Sequence, residues 1–176
     1  MSFDAGLLIL RVFVGLVLVG HGAQKLFGSF GGPGLKGFTG WAASVGLKPA
    51  RVWGLMGALS EFGGGILLAL GLLGPVGALA IIGAMLMAIG LAHWPKGFWG
   101  QKGGYEYPLV LLIVSAVLGL VGPGSYSLDA LLGINLPTTL IFWAGLVIAV
   151  IITAIGLTMN SRQNASSKQP SAPVQS

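Results

Sequence analysis

Apolar side chains fill long stretches of this chain, and polar side chains gather in the segments between them. A helix needs roughly 20 consecutive apolar residues to cross about 30 Å of hydrocarbon. Stretches of about that length lie at residues 5–27, 52–73, 76–94 and 138–159. A shorter stretch, residues 107–121, has Pro108 in its first turn and stops before Gly122 and Pro123. The pattern predicts five membrane-spanning helices, with four spans and one buried segment as the alternative.

Two polar segments carry further patterns. After the turn-rich Phe30-Gly-Gly-Pro-Gly34, apolar residues recur at helical spacing, which predicts a helix over about residues 35–46. We expect this helix to lie at the membrane surface, anchored by Phe38 and Trp41, and a hinged lid is the alternative. Residues 160–176 are rich in Ser, Gln, Asn and Pro, and this composition predicts a disordered tail.

The composition places these helices in a lipid bilayer. Of the 176 residues, 55% are hydrophobic and only 7% are charged, whereas about a quarter of a soluble domain is charged. Nine Lys or Arg and four Asp or Glu are too few to cover several wholly apolar helices with a polar shell. The predicted fold class is therefore all-α, a polytopic bundle of membrane helices. Without cysteine the chain has no disulfide and no Cys-ligated metal centre.

The positive charges predict how the chain is oriented. Lys and Arg occur in residues 25–51, 96–102 and 162–168, and are absent from the connections at 73–75 and 122–137. Because cytoplasmic loops retain Lys and Arg, we expect the amino terminus outside and the carboxyl terminus in the cytoplasm. The basic residues are scattered singly, so we expect no nucleic-acid partner despite the net charge of +5.

Small residues recur at every fourth position on two of the predicted spans. They predict faces on which helices pack closely, without saying whether the neighbouring helix belongs to the same chain, so oligomerisation stays open. One face carries Gly57, Glu61, Gly65 and Ala69, and the other carries Ala80, Ala84, Ala88 and Ala92.

Ionisable residues within spans cost several kcal/mol unless they are paired or hydrated. Arg11 lies about 9 Å inside the first span by helical rise, and we expect its side chain to reach the outer interface near Asp4. His21, Gln24 and Lys25 share one helix face near the cytoplasmic end of that span. Glu61 on the second span lies at a depth within one helical turn of His21.

More polar residues fall on the cytoplasmic side. His93 ends the third span, and Glu106 stands between Tyr105 and Tyr107 before the fourth. One interpretation is a buried Glu–His or Glu–Lys pair that fixes helix register. The other is an inward-open polar cavity that binds a head group or relays protons. Nothing in the spacing requires a metal, so no metal site is predicted.

Several motifs in order resemble the DoxX family (DoxX/DoxD-like integral membrane proteins). Across residues 5–132 they are Gly20-His-Gly-Ala-Gln-Lys-Leu-Phe27, Phe30-Gly-Gly-Pro-Gly-Leu35, Gly37-Phe-Thr-Gly-Trp41, Glu61-Phe-Gly-Gly-Gly65, His93 to Gly97, Gly103-Gly-Tyr-Glu-Tyr-Pro108 and Gly122-Pro-Gly-Ser-Tyr-Ser-Leu-Asp129. The resemblance implies a four-helix core in a bacterial or archaeal cytoplasmic (inner) membrane and a link to quinone-coupled oxidoreductase systems. This chain departs from that core by its extra span at residues 138–159.

The first functional hypothesis is therefore a membrane subunit of a quinone-linked or redox-stress oxidoreductase system. Its candidate catalytic residues are His21 and Glu61, which would handle protons. The candidate ligand-binding residues are Gln24, Lys25, His93, Tyr105, Glu106 and Tyr107. The cofactor is unknown, with a quinone or another small redox molecule as the candidate. The alternatives are a non-catalytic binding or transport protein for a small solute or lipid head group, and a membrane scaffold that recruits soluble redox enzymes.

Overall fold

The computed structural model describes residues 2–167, which form helices and no strand. The α-helices are α1 (Ser2–Phe27), α2 (Gly34–Ser44), α3 (Ala50–Leu70), α4 (Val76–Ala88), α5 (Glu106–Val121), α6 (Leu128–Leu132) and α7 (Thr138–Ser167). A π-helical turn, Ile89–His93, continues α4, and 3₁₀ turns lie at Ser29–Gly31, Trp94–Lys96 and Gly100–Lys102.

The lengths and apolarity of these helices confirm the predicted membrane bundle. Within the described residues, four helical segments are long and apolar enough to cross a bilayer: Phe3–Phe27, Ala50–Leu70, Val76–Lys96 and Thr138–Ser166. Helix α5 is also apolar, but its 16 residues extend only about 24 Å. It packs against α4 inside the bundle, and so does the extra helix α7.

The bundle is built around α4. Helix α1 packs on α3, α3 packs on α4, and α4 also contacts α5 and α7. Helices α1, α3, α4 and α5 alternate in direction, whereas α7 runs parallel to α4, since Gly83 faces Ala149 and Gly90 faces Leu157 further along both helices. The central core consists of Leu7, Val14, Leu18, Leu68, Ala78, Ile81, Met85, Leu111 and Leu118. Large apolar side chains on the outer faces, such as Phe13 and Val147, are exposed, as lipid contact requires.

Helices α1 and α3 approach so closely that only glycine fits between them. A Cβ atom on Gly65 would lie 2.6 Å from the carbonyl oxygen of Gly15. A Cβ on Gly22 would collide with the backbone of Phe62. The small-residue face predicted on α3 therefore packs on α1 through Gly65, as expected for membrane helices.

The last helix is longer than the sequence indicated. Residues 160–167 were expected to be disordered, which is wrong, because α7 continues to Ser167. Two side chains tie this extension to the end of α2: Asn160 Nδ2 donates to the Val45 carbonyl oxygen at 2.9 Å, and Gln163 Nε2 donates to that of Ser44 at 3.3 Å. Residues 168–176 of the predicted tail lie outside the described residues.

The two ends of the bundle differ. At the end where α1 begins and α3 ends, called the Arg11 end, Arg11 is buried with 3% of its surface exposed. It donates to the carbonyl oxygens of Pro123 and Tyr126. Its side chain thus ends at the connection between α5 and α6, and within the described residues no ion pair joins it to Asp4. Asp4 instead accepts from Ser125, at 3.1 Å from the backbone nitrogen and 3.0 Å from Oγ.

A second buried charge completes the Arg11 end. Asp129, on α6, is 5% exposed and accepts from the backbone nitrogens of Leu73 and Gly74 at 2.9 and 2.6 Å. Leu73 has a left-handed φ of 61°, which is costly for a residue other than glycine. The carboxylate therefore holds the tight α3–α4 turn, and Arg11 holds the α5–α6 connection.

Candidate functional site

At the opposite end, called the Lys25 end, an ion pair joins α1 to α3. Lys25 Nζ contacts Glu61 Oε1, and Glu61 is only 3% exposed. The Lys25 ammonium also lies 4.9 Å from the centre of the Phe38 ring on α2, within range of a cation–π interaction. Of the two buried pairs that the sequence allowed, the structure forms the Glu–Lys pair.

This ion pair borders a cavity of about 480 Å³ between α2, α3, α4 and α7. Its volume is within the range of sites that bind small molecules. Most of the lining is apolar, and Lys25, Glu61 and His93 supply ionisable groups. The cavity extends along α4 as far as Val76, so it is a long apolar channel with charged groups toward the Lys25 end. Such a shape suits an amphiphile with a polar head.

The four alanines predicted as a packing face on α4 line this cavity. Their short side chains leave the space between α4 and the neighbouring helices unfilled, because a methyl group reaches little beyond the backbone. The four are Ala80, Ala84, Ala88 and Ala92. Ala80 also packs against α3, where a Cβ on Gly64 would lie 2.9 Å from the Ala80 methyl carbon. Small residues at every fourth position thus allow α3 to pack closely on α1, whereas on α4 they line a cavity.

His93 reaches the cavity from the π-helical turn that continues α4. Such turns are frequent at functional sites. The His93 Nδ1 atom lies 2.7 Å from the carbonyl oxygen of Gly103. Since a carbonyl oxygen can only accept, Nδ1 carries the hydrogen, and Nε2 of the neutral ring is an acceptor.

His21 lies beside Tyr107 on α5 and not beside Glu61. Its Nε2 lies 3.2 Å from the hydroxyl oxygen of Tyr107 on α5, and the two rings are 5.9 Å apart. Within residues 2–167, no hydrogen bond joins His21 to Glu61, and neither His21 nor Gln24 lines the cavity. Gln24 instead packs against Gly32. The catalytic role of His21 and the binding role of Gln24 stay predictions.

Tyr105 and Glu106 organise the loop between α4 and α5. The Tyr105 ring stacks on Trp94 at 5.2 Å and meets Phe98 edge-on at 5.6 Å. Glu106 Oε2 accepts from the Gly100 nitrogen at 2.8 Å. Among the described residues that line the cavity, neither Tyr105 nor Glu106 is found. Their contacts shape the loop that holds His93 through Gly103, and their ligand-binding roles stay predictions.

Two walls of the cavity were not foreseen. Trp41 and Trp53, with Phe38, form an aromatic side near the ion pair, whereas the sequence predicted Phe38 and Trp41 as anchors of an interfacial helix, with a hinged lid as the alternative. Helix α7 forms the opposite side through Gly145, Ile148, Ala149 and Ile152. The small residues of α7 were a signal for the second wall, but a small residue alone does not distinguish a packing face from a cavity face.

The first half of the chain decides the relationship to known proteins. The family model described as DoxX matches residues 6–94, which contain most of α1, all of α2, α3 and α4, and His93. The chain belongs to the DoxX family. It is also similar to the protein named "Putative oxidoreductase CatD" of Bacillus subtilis (strain 168), with 31% identity over 132 residues that cover 73% of this chain and 87% of that protein. No solved structure matches the chain.

Membership of the DoxX family and the apolar helices together establish a multi-pass protein of the lipid bilayer. The family match covers the two partners of the Lys25–Glu61 pair and the alanine face of α4. It ends before α7, which supplies one wall of the cavity. The site therefore combines family elements with a helix outside the matched region.

Proposed function

We propose that this DoxX protein is a membrane subunit of an oxidoreductase system and binds a quinone in the cavity beside Lys25 and Glu61. The observation that carries the proposal is the long apolar channel of about 480 Å³ with a buried ion pair at one end. A quinone matches this shape, because its tail prefers hydrocarbon and its head needs polar partners. The name of the Bacillus subtilis relative supports an oxidoreductase association.

In this proposal the head group lies near Lys25, Glu61 and His93. Conversion of a quinone to a hydroquinone takes up electrons and protons in equal number. The electrons would come from an oxidoreductase partner, and the protons would pass through Glu61, with His21 and Tyr107 as the outer groups of the relay. We also propose the cytoplasmic membrane as the location, with the Lys25 end facing the cytoplasm, as the distribution of Lys and Arg favours.

Tryptophan fluorescence tests the binding step. Trp41 and Trp53 line the cavity, and a quinone quenches indole emission on contact. Titration of the full chain in lipid nanodiscs with a decyl-tailed benzoquinone is expected to give saturable quenching. The variant Gly83→Leu extends a side chain into the cavity that Gly83 lines, and we expect roughly tenfold weaker binding.

The matched control is Gly63→Leu. Gly63 is on α3, does not belong to the residues described as lining the cavity, and has open space where a Cβ would be placed. This variant should bind quinone as the wild type does. Quenching that does not saturate, or that is the same in Gly83→Leu, would overturn the proposal.

The mostly apolar lining also favours a second candidate, a non-catalytic protein that binds lipid head groups or transports a small solute. Vesicles that contain the purified protein would then accumulate a solute or retain a specific lipid, with no saturable quinone binding. The scaffold hypothesis makes a separate prediction: charge reversal at Lys48 and Arg51 should release a soluble redox enzyme that co-purifies with the wild type.

A further inference from the structure

The buried carboxylate of Glu61 has one oxygen that the protein leaves unsatisfied. Its Oε1 atom contacts Lys25, but Oε2 is fully buried and has no hydrogen-bond partner in the part of the chain that the structure describes. Glu61 lines the cavity. An unpaired buried acceptor costs about 1–3 kcal/mol, and more when it is charged. Since Oε2 itself has almost no accessible surface, a donor in the cavity reaches it when the Glu61 carboxylate turns toward the ligand.

The nearby groups also set the charge of the ligand. Lys25 and Glu61 cancel each other, and the Lys25 ammonium is already placed between Oε1 and the Phe38 ring. A phosphate or carboxylate head near Oε2 would meet a like charge without an unpaired cation to offset it. The His93 Nδ1 hydrogen is directed to Gly103, so Nε2 adds another acceptor when the ring is neutral. The site therefore requires a neutral head that donates hydrogen bonds.

We infer that the cavity prefers the hydroquinone form of its quinone over the oxidised form, with a ring hydroxyl donating to Glu61 Oε2. The inference rests on the proposed function and adds the redox form that the site selects. A hydroquinone has two hydroxyl donors, whereas the oxidised ring has only carbonyl acceptors. Oxidised quinone would leave Oε2 without a donor and would place a carbonyl oxygen, which only accepts, next to the carboxylate oxygen. Preference for the hydroquinone makes the bound couple a stronger oxidant, by about 30 mV for each tenfold difference in affinity.

The test compares three decyl-tailed ligands on the full chain in nanodiscs under anaerobic conditions: the hydroquinone, the benzoquinone and the dimethyl ether of the hydroquinone. Affinity is taken from the midpoint of each isotherm, so that different quenching strengths do not matter. We expect the hydroquinone to bind roughly tenfold tighter than the other two, as one hydrogen bond to a charged acceptor allows. The ether keeps the ring and tail but has no hydroxyl donor. It therefore tests the hydrogen bond on the wild-type protein.

The variant Glu61→Gln sharpens the test, since its amide nitrogen can donate to a quinone carbonyl. It should reduce the preference for hydroquinone at least severalfold, while Gly63→Leu should keep it. Quinone or ether that binds as tightly as the hydroquinone would overturn the inference and leave quinone binding intact. Failure of all three ligands to bind would overturn the proposed function itself.

Discussion

Two charged residues in this protein are equally buried but have opposite surroundings. Arg11 and Glu61 are each 3% exposed. Arg11 donates to two backbone carbonyls of the α5–α6 connection, and the cavity beside it is only about 10 Å³, room for roughly one water molecule. Glu61 has a side-chain partner on one oxygen, has none on the other among the described residues, and lines a cavity of about 480 Å³. Arg11 Nε and Glu61 Oε2 both lack a hydrogen-bond partner among the described residues. Neither burial of a charge nor an unsatisfied atom therefore identifies a site by itself, and the volume of the adjoining cavity distinguishes the two residues.

The comparison predicts that the charges at the Arg11 end stabilise the fold and that Glu61 contributes to ligand affinity. The largest effect is expected for Arg11→Met, which leaves the carbonyls of Pro123 and Tyr126 without their donor. We expect a loss of about 3 kcal/mol or more in the free energy of unfolding. Denaturant titration in detergent micelles measures this. Arg51→Met, at an exposed position, is the control and should change little; equal losses in both variants would contradict a structural role for Arg11.

Asp129→Asn should have the next largest effect. The amide keeps one acceptor oxygen but loses the charge that holds the Leu73 and Gly74 nitrogens. The expected loss is about 1–3 kcal/mol in the free energy of unfolding, with quinone affinity unchanged. Asp4→Asn, at a partly exposed carboxylate that accepts from Ser125, should lose less than half as much. If Asp129→Asn lowered quinone affinity without lowering stability, the Arg11 end would not be purely structural.

Gly83→Leu tests the cavity from the side of α4. A Cβ on Gly83 meets only the Ala149 methyl, at 3.7 Å, so the added side chain can extend into the cavity that Gly83 lines. Quinone affinity should fall roughly tenfold, while stability should stay within about 1 kcal/mol. Gly63→Leu makes the same chemical change on α3, where a Cβ would meet open space. Unchanged affinity in Gly83→Leu would show that quinone does not occupy this space.

The smallest effect is expected for Tyr107→Phe. Tyr107 is 48% exposed, and the variant loses only its hydroxyl contact with His21. Stability should fall by less than about 1 kcal/mol and quinone affinity should stay the same. Proton uptake that accompanies quinone reduction, followed with a pH indicator, should slow if His21 and Tyr107 relay protons. An unchanged rate would remove this pair from the relay.

Much of the fold followed from the sequence because each membrane helix is a local signal. Apolar stretches predicted the spans to within a few residues, and Gly71 ends α3 with a left-handed φ of 62°. The extension of α7 to Ser167 could not be foreseen, since Asn160 and Gln163 find their partners more than 100 positions away. Composition favoured disorder there, and tertiary hydrogen bonds favoured helix.

The site was predictable only in part, for the same reason. Helical depth placed His21 within one turn of Glu61 and Lys25 nearer the water, whereas in the structure the long side chain of Lys25 reaches Glu61. The sequence could not identify the partners of Arg11. Pro123 lies 112 positions later and accepts through its backbone carbonyl, a group that every residue has. The cavity depended on how far α7 stands from α3, and no local pattern specifies a distance between two helices.

The pairing of Lys25 with Glu61 has an electrical consequence. A single charge that crosses the membrane field gains or loses about 2.3 kcal/mol for each 100 mV of potential. The joined ammonium and carboxylate are a dipole without net charge, so the transmembrane voltage acts on them only weakly. A neutral head group can then enter and leave this site with nearly the same affinity in an energised and a de-energised cell.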